Sequence, residues 1–581
     1  SGSMNRDSAP IQLDVDVRNA KYLILEVNNG GGEGNWGDHF DWANAYFIYH
    51  EQNSTRPETV SPDVLKTPLA CATDLFSLPG KRVLHKIVTS DPSLNVTVTQ
   101  LPDGLTWNAK RRVVEGTAPE AEGLYHYNIV STEGKEQQIL AKATLTVKKN
   151  LPLAKPMMGW ISWNVVQDKI STDVVKKVSD AMVKQGLKDV GYNYLIIDDL
   201  WHAKTRHSDG RPQEDPVKFP IGMKATVDYA HSKGLKFGIY SDAANNTCAG
   251  AFGSYDKETV DAKQYAAWGV DLLKYDYCHA PSDAASAQVR YKAMGDALKQ
   301  SGRDILLYMC EWGAREPWKW GFTTGAPVWR ATYDTRDGWN GKQGGIGIIQ
   351  SIASMKDLWA YSGVNRFNDA DMMCVGIHGT GKSSNDLVVG TPGMTQDEYR
   401  TQFALWCMWS SPLLLSFDLT KPITADDKKL MTNADLIALD QDDLGQQAEY
   451  IGTVDNMVYF MKDLANGDVA ISATNMSEAT KEAVFDFSKF SALDPTMDYY
   501  IYDCQLQKAG ETTVKTVLRT PVRKHATVVY RLGRNKITGV SSIPTKKNKK
   551  ATVNFDLSGR KVEHPTAGQL VISEGNKQLT L

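Results

Sequence analysis

Several absences narrow the possibilities for this chain. Its 581 residues contain seven cysteines, Cys71, Cys248, Cys278, Cys310, Cys374, Cys407 and Cys504, and none of them forms a C-x-x-C pair or joins histidines at zinc-site spacing. A structural metal is therefore not expected, and no motif calls for an organic cofactor. No apolar run approaches the ~20 residues that a membrane helix needs. Neither charge is in excess: 65 Lys and Arg stand against 68 Asp and Glu, so there is no general electrostatic pull toward nucleic acid. The opening Ser1-Gly2-Ser3-Met4 reads as a cloning remnant and says nothing about a signal peptide.

What is present is a chain too long for one core, since domains divide beyond ~250–300 residues. Residues 5–77 carry the strand Tyr22-Leu23-Ile24-Leu25-Glu26-Val27, a glycine-rich turn and a second aromatic strand. Residues 78–149 alternate apolar and polar positions, as in Asn95-Val96-Thr97-Val98-Thr99, and predict a small sandwich. From 155 to 445, strand-length apolar runs alternate with amphipathic stretches, the pattern of βα units. One stretch, Thr172 to Gln185, places Val175, Val178 and Met182 on one helical face and stops at Gly186. Eight runs, near 157–163, 193–199, 236–241, 271–276, 305–311, 328–334, 364–371 and 412–417, predict a (β/α)8 barrel. Residues 446–533 return to β alternation and predict an antiparallel sandwich docked on the barrel. Residues 534–581 form a lysine-rich tail with short strands.

Six of the barrel runs end abruptly in charge. Leu272-Leu273-Lys274-Tyr275-Asp276 is the clearest. The others reach Asp198-Asp199, Asp242, Glu311, Asp334, and the pair Asp369 and Asp371. Strand C-termini line the active-site mouth of such a barrel, so these acids form a ring around one opening.

Two carboxylates facing each other across a pocket can cleave a glycosidic bond, one as nucleophile or base and the other as acid. Asp276 is the candidate nucleophile. Lys274, two residues earlier on the same face of the strand, favours its ionised form. Read otherwise, Lys274 and Asp276 are a buried pair that closes the barrel, or Lys274 is a Schiff-base lysine. The latter needs a phosphate- or carboxylate-holding site, and no glycine-rich phosphate loop follows the last strands. Asp334 is the candidate acid, with Arg330 on the same side; Asp337 competes with it.

The motifs MGWISWN, YLIIDDLW, GLKFGIYSDA, NNTCAG, WGVDLLKYDYC, CEWG, VWRATYD and NDADM follow one another in this order. Together they closely resemble glycoside hydrolase family 27, whose typical member is a retaining α-galactosidase. The resemblance covers about 155–445 strongly and 446–533 weakly. It implies Asp276 as nucleophile and Asp334 as acid/base, with carboxyls ~5–5.5 Å apart for retention. It further implies that Asp198 and Asp199 accept from the 4- and 6-hydroxyls of galactose, that Lys274 reaches the 3- and 4-hydroxyls and Arg330 the 2-hydroxyl, and that Trp163 walls the ring. Asp371 lies where the family has another pocket acid.

Glu311 in CEW accompanies a free 2-hydroxyl in the family and favours galactose over N-acetylgalactosamine. The intact pair Asp198 and Asp199 argues against β-L-arabinopyranosidases. A carbohydrate-binding protein that has lost catalysis is the rival from another class. The chain departs from the family at Arg315-Glu316-Pro317-Trp318, which leaves specificity toward the reducing side open, and at Tyr277 and in RFNDADM, two changes expected to narrow or reshape the pocket mouth.

The family's disulfide positions fall on Cys248 and Cys278, which implies an oxidising, extracytoplasmic compartment such as the periplasm or cell surface. Cys310 is expected to remain a free thiol. The expected partner is a galactose-terminated oligo- or polysaccharide, while the sequence leaves the oligomeric state open. Outside the barrel, LILEVNNGGGEGNWGDHFDWANAYF resembles part of a carbohydrate-binding module. LPDGLTWN with VVEGTAPEAEGLYHYNIV resembles bacterial immunoglobulin-like spacers, and FDLSGRKVEHPTAGQLVI resembles tails of secreted Bacteroidota proteins.

Overall fold

The computed structural model describes residues 68–132, 138–341, 344–381, 392–514 and 517–539, together with the strands of a small sheet between 554 and 579. The expected module-like strands near the N-terminus lie outside the described residues.

Eight parallel strands form the central sheet: Met158–Ile161 (β1), Tyr194–Ile196 (β2), Lys236–Asp242 (β3), Leu272–Asp276 (β4), Leu306–Cys310 (β5), Val328–Arg330 (β6), Phe367–Asp369 (β7) and Leu413–Leu415 (β8). They pair in chain order from β1 to β7, with β8 beside β1. The curl is joined at its seam by a parallel bridge between Met373, just past β7, and Leu415, with Met373 N–H donating to Leu414 O at 2.8 Å.

The period of two along each strand sorts the side chains. Ile196, Leu272, Leu306, Tyr308, Val328, Phe367 and Leu414 pack in one cluster inside the barrel. Their neighbours Leu195, Leu273, Tyr275, Leu307, Met309 and Trp329 belong to the larger core beneath the helices. Lys274 and Asp276 share the inward parity of Leu272, which carries both charges toward the mouth.

The helices form as their sequences dictate. In Thr172–Lys184 the Ser171 side chain caps the N-terminus by accepting from Val174 N–H, and Val175, Val178 and Met182 are fully buried. Gly186 follows at φ +76°, a left-handed conformation that suits glycine. In Gln396–Trp409, Thr395 and Glu398 form a reciprocal capping box.

Two sandwiches flank the barrel. On the N-terminal side, Asp74–Ser77 pairs in parallel with Gln138–Val147, which continues to Gly123–Ser131 and Val96–Thr99. A second sheet holds Arg82–Lys86, Val113–Thr117 and Leu105–Asn108. The sandwich thus takes in residues ahead of 78. On the C-terminal side, a six-stranded sheet runs from Glu449–Val454 to Lys508–Val514, and Lys481–Asp486 pairs with Val517–Val522.

Val458, Phe460, Ala470 and Val529 of the second sandwich are part of the barrel's own core. Buried Lys462 donates to Ser410 Oγ at 2.7 Å across that junction. Arg111 joins the two sandwiches through both carboxylate oxygens of Asp463, each at 2.8 Å. Such a shared apolar interface holds the flanking units as parts of one body.

Candidate active site

At the C-terminal ends of β2 to β7 the ring of acids is assembled around cations and tyrosines. Lys274 Nζ lies 2.7 Å from Asp198 Oδ2, with both side chains almost wholly buried. Burial alone would discharge the lysine, but the Asp198 charge overrides it and pushes its pKa up. Asp198 is held in turn by its backbone N–H donating to Ser162 Oγ at 2.9 Å. Asp199 accepts from Ala249 N–H at 3.0 Å and Leu200 N–H at 2.7 Å. Burial pushes its carboxyl up to about 6.

Asp276, 5% exposed, receives the Tyr240 hydroxyl on Oδ2 at 2.8 Å and the Tyr277 backbone N–H on Oδ1 at 3.0 Å. Burial raises its pKa to about 6, against Lys274 and these donors, and the charge of Asp334 adds to the rise. The Asp334 side chain is 35% exposed, with Arg330 Nη2 at 3.2 Å and Arg336 Nη2 at 3.7 Å. Burial pushes the Asp334 carboxyl up, but the two guanidiniums outweigh this and hold it below the usual carboxylate range.

Arg330 also places Nη1 at 2.9 Å from Asp371 Oδ1. Asp371 sits at φ +79°, a strained conformation for a residue with a Cβ. It is pinned there by Thr335 N–H on Oδ2 and by Trp406 Nε1 on its carbonyl, both at 2.7 Å. Burial raises the Asp371 carboxyl despite Arg330. Trp163 packs at the edge of the inner barrel cluster.

Asp337, the competitor of Asp334, is engaged elsewhere. Its oxygens accept from Gly379 N–H at 2.7 Å, Met394 N–H at 3.1 Å and Tyr399 OH at 2.8 Å. It anchors Gly379, Met394 and Tyr399, whereas Asp334 remains partly open.

Glu311, the residue after β5, is fully buried. Its carboxylate pairs with the Arg315 guanidinium and accepts the Arg315 backbone N–H at 3.1 Å. Tyr277 was expected to reshape the pocket mouth. Instead it is 1% exposed and turns outward, because it has the parity of Tyr275 and stacks on Tyr291 at 5.5 Å.

Cys248 and Cys278 are joined in a disulfide with Cα atoms 5.1 Å apart. Cys71, Cys310, Cys374, Cys407 and Cys504 are free and buried. The bridge ties the loop after β3 to the end of β4, and Cys248 Sγ lies 3.4 Å from Asp276 Oδ2. Asp242, Asp276 and the two sulfurs have ligand-type atoms within 4.8 Å of one another, but sulfurs bonded to each other offer no thiolates to a metal.

Three side chains that contact the candidate residues have no role assigned from the sequence. Tyr240 was quoted only within a motif, yet it lies in register with Lys274. That register and its inward-facing carboxylate neighbour were the available signal. Arg315 stands in a segment that departs from the family, but its partner and that of Arg336 depend on how loops fold back.

Comparison with known proteins follows the same ground. Residues 155–442 match the family profile described as Alpha galactosidase A, residues 73–148 match an Ig-domain profile, and residues 1–48 match the NPCBM/NEW2 domain. The chain is 37% identical over 413 residues to Alpha-galactosidase A of Cellvibrio japonicus, covering 69% of this chain and 97% of that one. Among solved structures, alpha-galactosidase I from Mortierella vinacea aligns with TM-score 0.61 and 30% identity, over 67% of this chain and 99% of that one. The α-galactosidase of Saccharomyces cerevisiae solved with raffinose aligns with TM-score 0.59 and 26% identity, over 65% and 98% of the two chains.

Proposed function

Since the chain belongs to the alpha galactosidase A family, glycoside hydrolase family 27, we propose that it is a retaining, exo-acting α-galactosidase that removes terminal α-D-galactosyl residues. The observation that carries this reading is the Asp276–Asp334 pair. One buried carboxylate is oriented by Tyr240 and the Tyr277 N–H, and a second, partly exposed carboxylate in the loop after β6 is held by Arg330 and Arg336. Two acids so placed can act by double displacement. Asp276 attacks the anomeric carbon while Asp334 protonates the departing glycosidic oxygen, giving a galactosyl ester. Asp334 then takes a proton from water, which attacks the ester and releases galactose with net retention. Nucleophile and proton both come from carboxylates, so this route calls for no cofactor.

In the binding part of this proposal, Asp198 and Asp199 accept from the 4- and 6-hydroxyls. Lys274, charged and fixed by Asp198, donates to the 3- and 4-hydroxyls. Arg330 and Glu311 meet the 2-hydroxyl, Trp163 walls the ring, and Asp371 steadies Arg330. A paired Asp198–Lys274 unit has donors and acceptors already oriented for an axial hydroxyl, which lowers the cost of ordering them on binding. The relative solved with raffinose is consistent with a galactoside as partner.

The Cys248–Cys278 bridge supports an extracytoplasmic location, and no helix among the described residues is long and apolar enough to cross a membrane. A carbohydrate module, a spacer, the barrel, a docked sandwich and a tail, in that order, are the proposed organisation.

A panel of nitrophenyl glycosides tests the reading. The α-galactoside should be cleaved well ahead of the α-N-acetylgalactosaminide and the β-L-arabinopyranoside, and NMR should detect α-galactose as the first product. Prior release of the β-anomer would mean inversion and would sink the double-displacement route. No release of nitrophenol would favour the binding-protein rival.

A further inference from the structure

Tyr277 and Arg315, from the loops after β4 and β5, meet in space. The Arg315 guanidinium lies 4.4 Å from the centroid of the Tyr277 ring, which itself stacks on Tyr291 with an interplanar angle of 20°. Arg315 Nε donates to Ser282 O at 2.9 Å. Nη1 of the same residue pairs with Glu311 Oε1, and its backbone N–H donates to Glu311 Oε2. The Arg315 side chain is 11% exposed and that of Glu311 0%. One arginine thus ties together the residue that follows the proposed nucleophile, the loop beyond Cys278 and the acid at the end of β5.

A carboxylate buried this deeply without a cation would take up a proton or swing away. Burial does push the Glu311 carboxyl up, and Arg315 is the largest influence against it. With Arg315 holding one site on each oxygen, acceptor capacity remains for a further donor. A sugar hydroxyl can supply that donor. Lysine could not reproduce the clamp, since it has neither a planar fork nor a face to stack on an aromatic ring.

Resting on the galactosidase reading above, we propose that Arg315 is a positioning residue. Clamped on Tyr277 and Ser282, it keeps Glu311 fixed and ionised toward the C2 substituent, and so supplies discrimination at that carbon without touching the sugar.

The test measures kcat/KM of the full chain and of Arg315→Met on nitrophenyl α-galactoside and on its 2-deoxy counterpart. The variant should lose about 10- to 100-fold on the galactoside and far less on the 2-deoxy substrate, so the preference for a 2-hydroxyl collapses. Arg315→Lys should fall between the two. Equal losses on both substrates, which a merely structural role would produce, overturn the proposal. Should Arg315→Met fail to fold, as judged by thermal melting, Tyr277→Leu removes the platform while keeping the arginine. It must shift the same ratio in the same direction. A wild-type enzyme inactive on both substrates sinks the reading of the site. An unchanged ratio in an active enzyme sinks only this inference.

Discussion

The phenolic hydroxyl of Tyr240 donates a 2.8 Å hydrogen bond to Oδ2 of Asp276, from a position beside Lys274 in the strand register. Strand β3 thereby aims the carboxylate carried by β4, leaving Oδ1 to the Tyr277 backbone N–H. Tyr240→Phe keeps the ring and removes the donor. The Asp276 carboxylate loses a bond that favours its ionised form, so its pKa rises and a smaller share of the enzyme holds the shared proton on Asp334. We expect kcat/KM on nitrophenyl α-galactoside to fall by about 10-fold. An unchanged value would remove Tyr240 from the catalytic machinery.

The proposed chemistry needs one proton on the Asp276–Asp334 pair. Asp276 lies at about 6 and Asp334 below the ordinary carboxylate range. The singly protonated pair therefore exists between these two limits with its proton mostly on Asp276, so attack proceeds from the minor form in which that proton has moved to Asp334, and the pair is lost as pH rises through about 6. The profile of kcat/KM should be bell-shaped with an acidic maximum, its limbs belonging to the pair and not to either residue. A maximum at neutral or alkaline pH would contradict this.

Asp276→Asn keeps the side chain's shape but supplies a poor nucleophile. Turnover should drop by at least about 1,000-fold, while calorimetry still detects galactose binding. Full activity in this variant would rule out the assignment.

Asp334→Asn removes the proposed proton donor. The loss should be largest on natural oligosaccharides and smallest on aryl galactosides with acidic phenols, because a good leaving group needs little protonation. Equal losses across a leaving-group series would count against Asp334 as the acid.

The disulfide closes a loop with a sequence separation of 30 residues. Replacing Cys248 and Cys278 by serine together should lower stability by about 3 kcal/mol, read as an earlier thermal midpoint. Because Cys248 Sγ touches the Asp276 carboxylate, kcat should fall as well, even well below the melting transition. A variant with a lowered midpoint but unchanged kcat would make the bridge purely structural.

Much of the pocket could be read in advance because strand geometry is local. A period of two puts Lys274 and Asp276 on one face, and an apolar run that ends in acid marks the end of a barrel strand whichever helices surround it. The Thr172–Lys184 helix was equally legible, from its apolar spacing and the glycine beyond it. The choice between Asp334 and Asp337 was not, because both lie in one loop with similar wording. What separates them is that Asp337 binds Gly379, Met394 and Tyr399, residues some forty to sixty positions away in the chain.

The sequence by itself determined the order of the strands, the face each charge would occupy and the family to which the motifs point, since these follow from periodicity and from residue types at short spacing. Only the tertiary structure decided that Asp334 stays partly open while Asp337 is tied to backbone and tyrosine donors, that Tyr277 turns outward to carry Arg315, and that Tyr240 aims the Asp276 carboxylate. Those outcomes depend on contacts between segments distant in the chain, where burial and hydrogen-bond pairing settle what each side chain does.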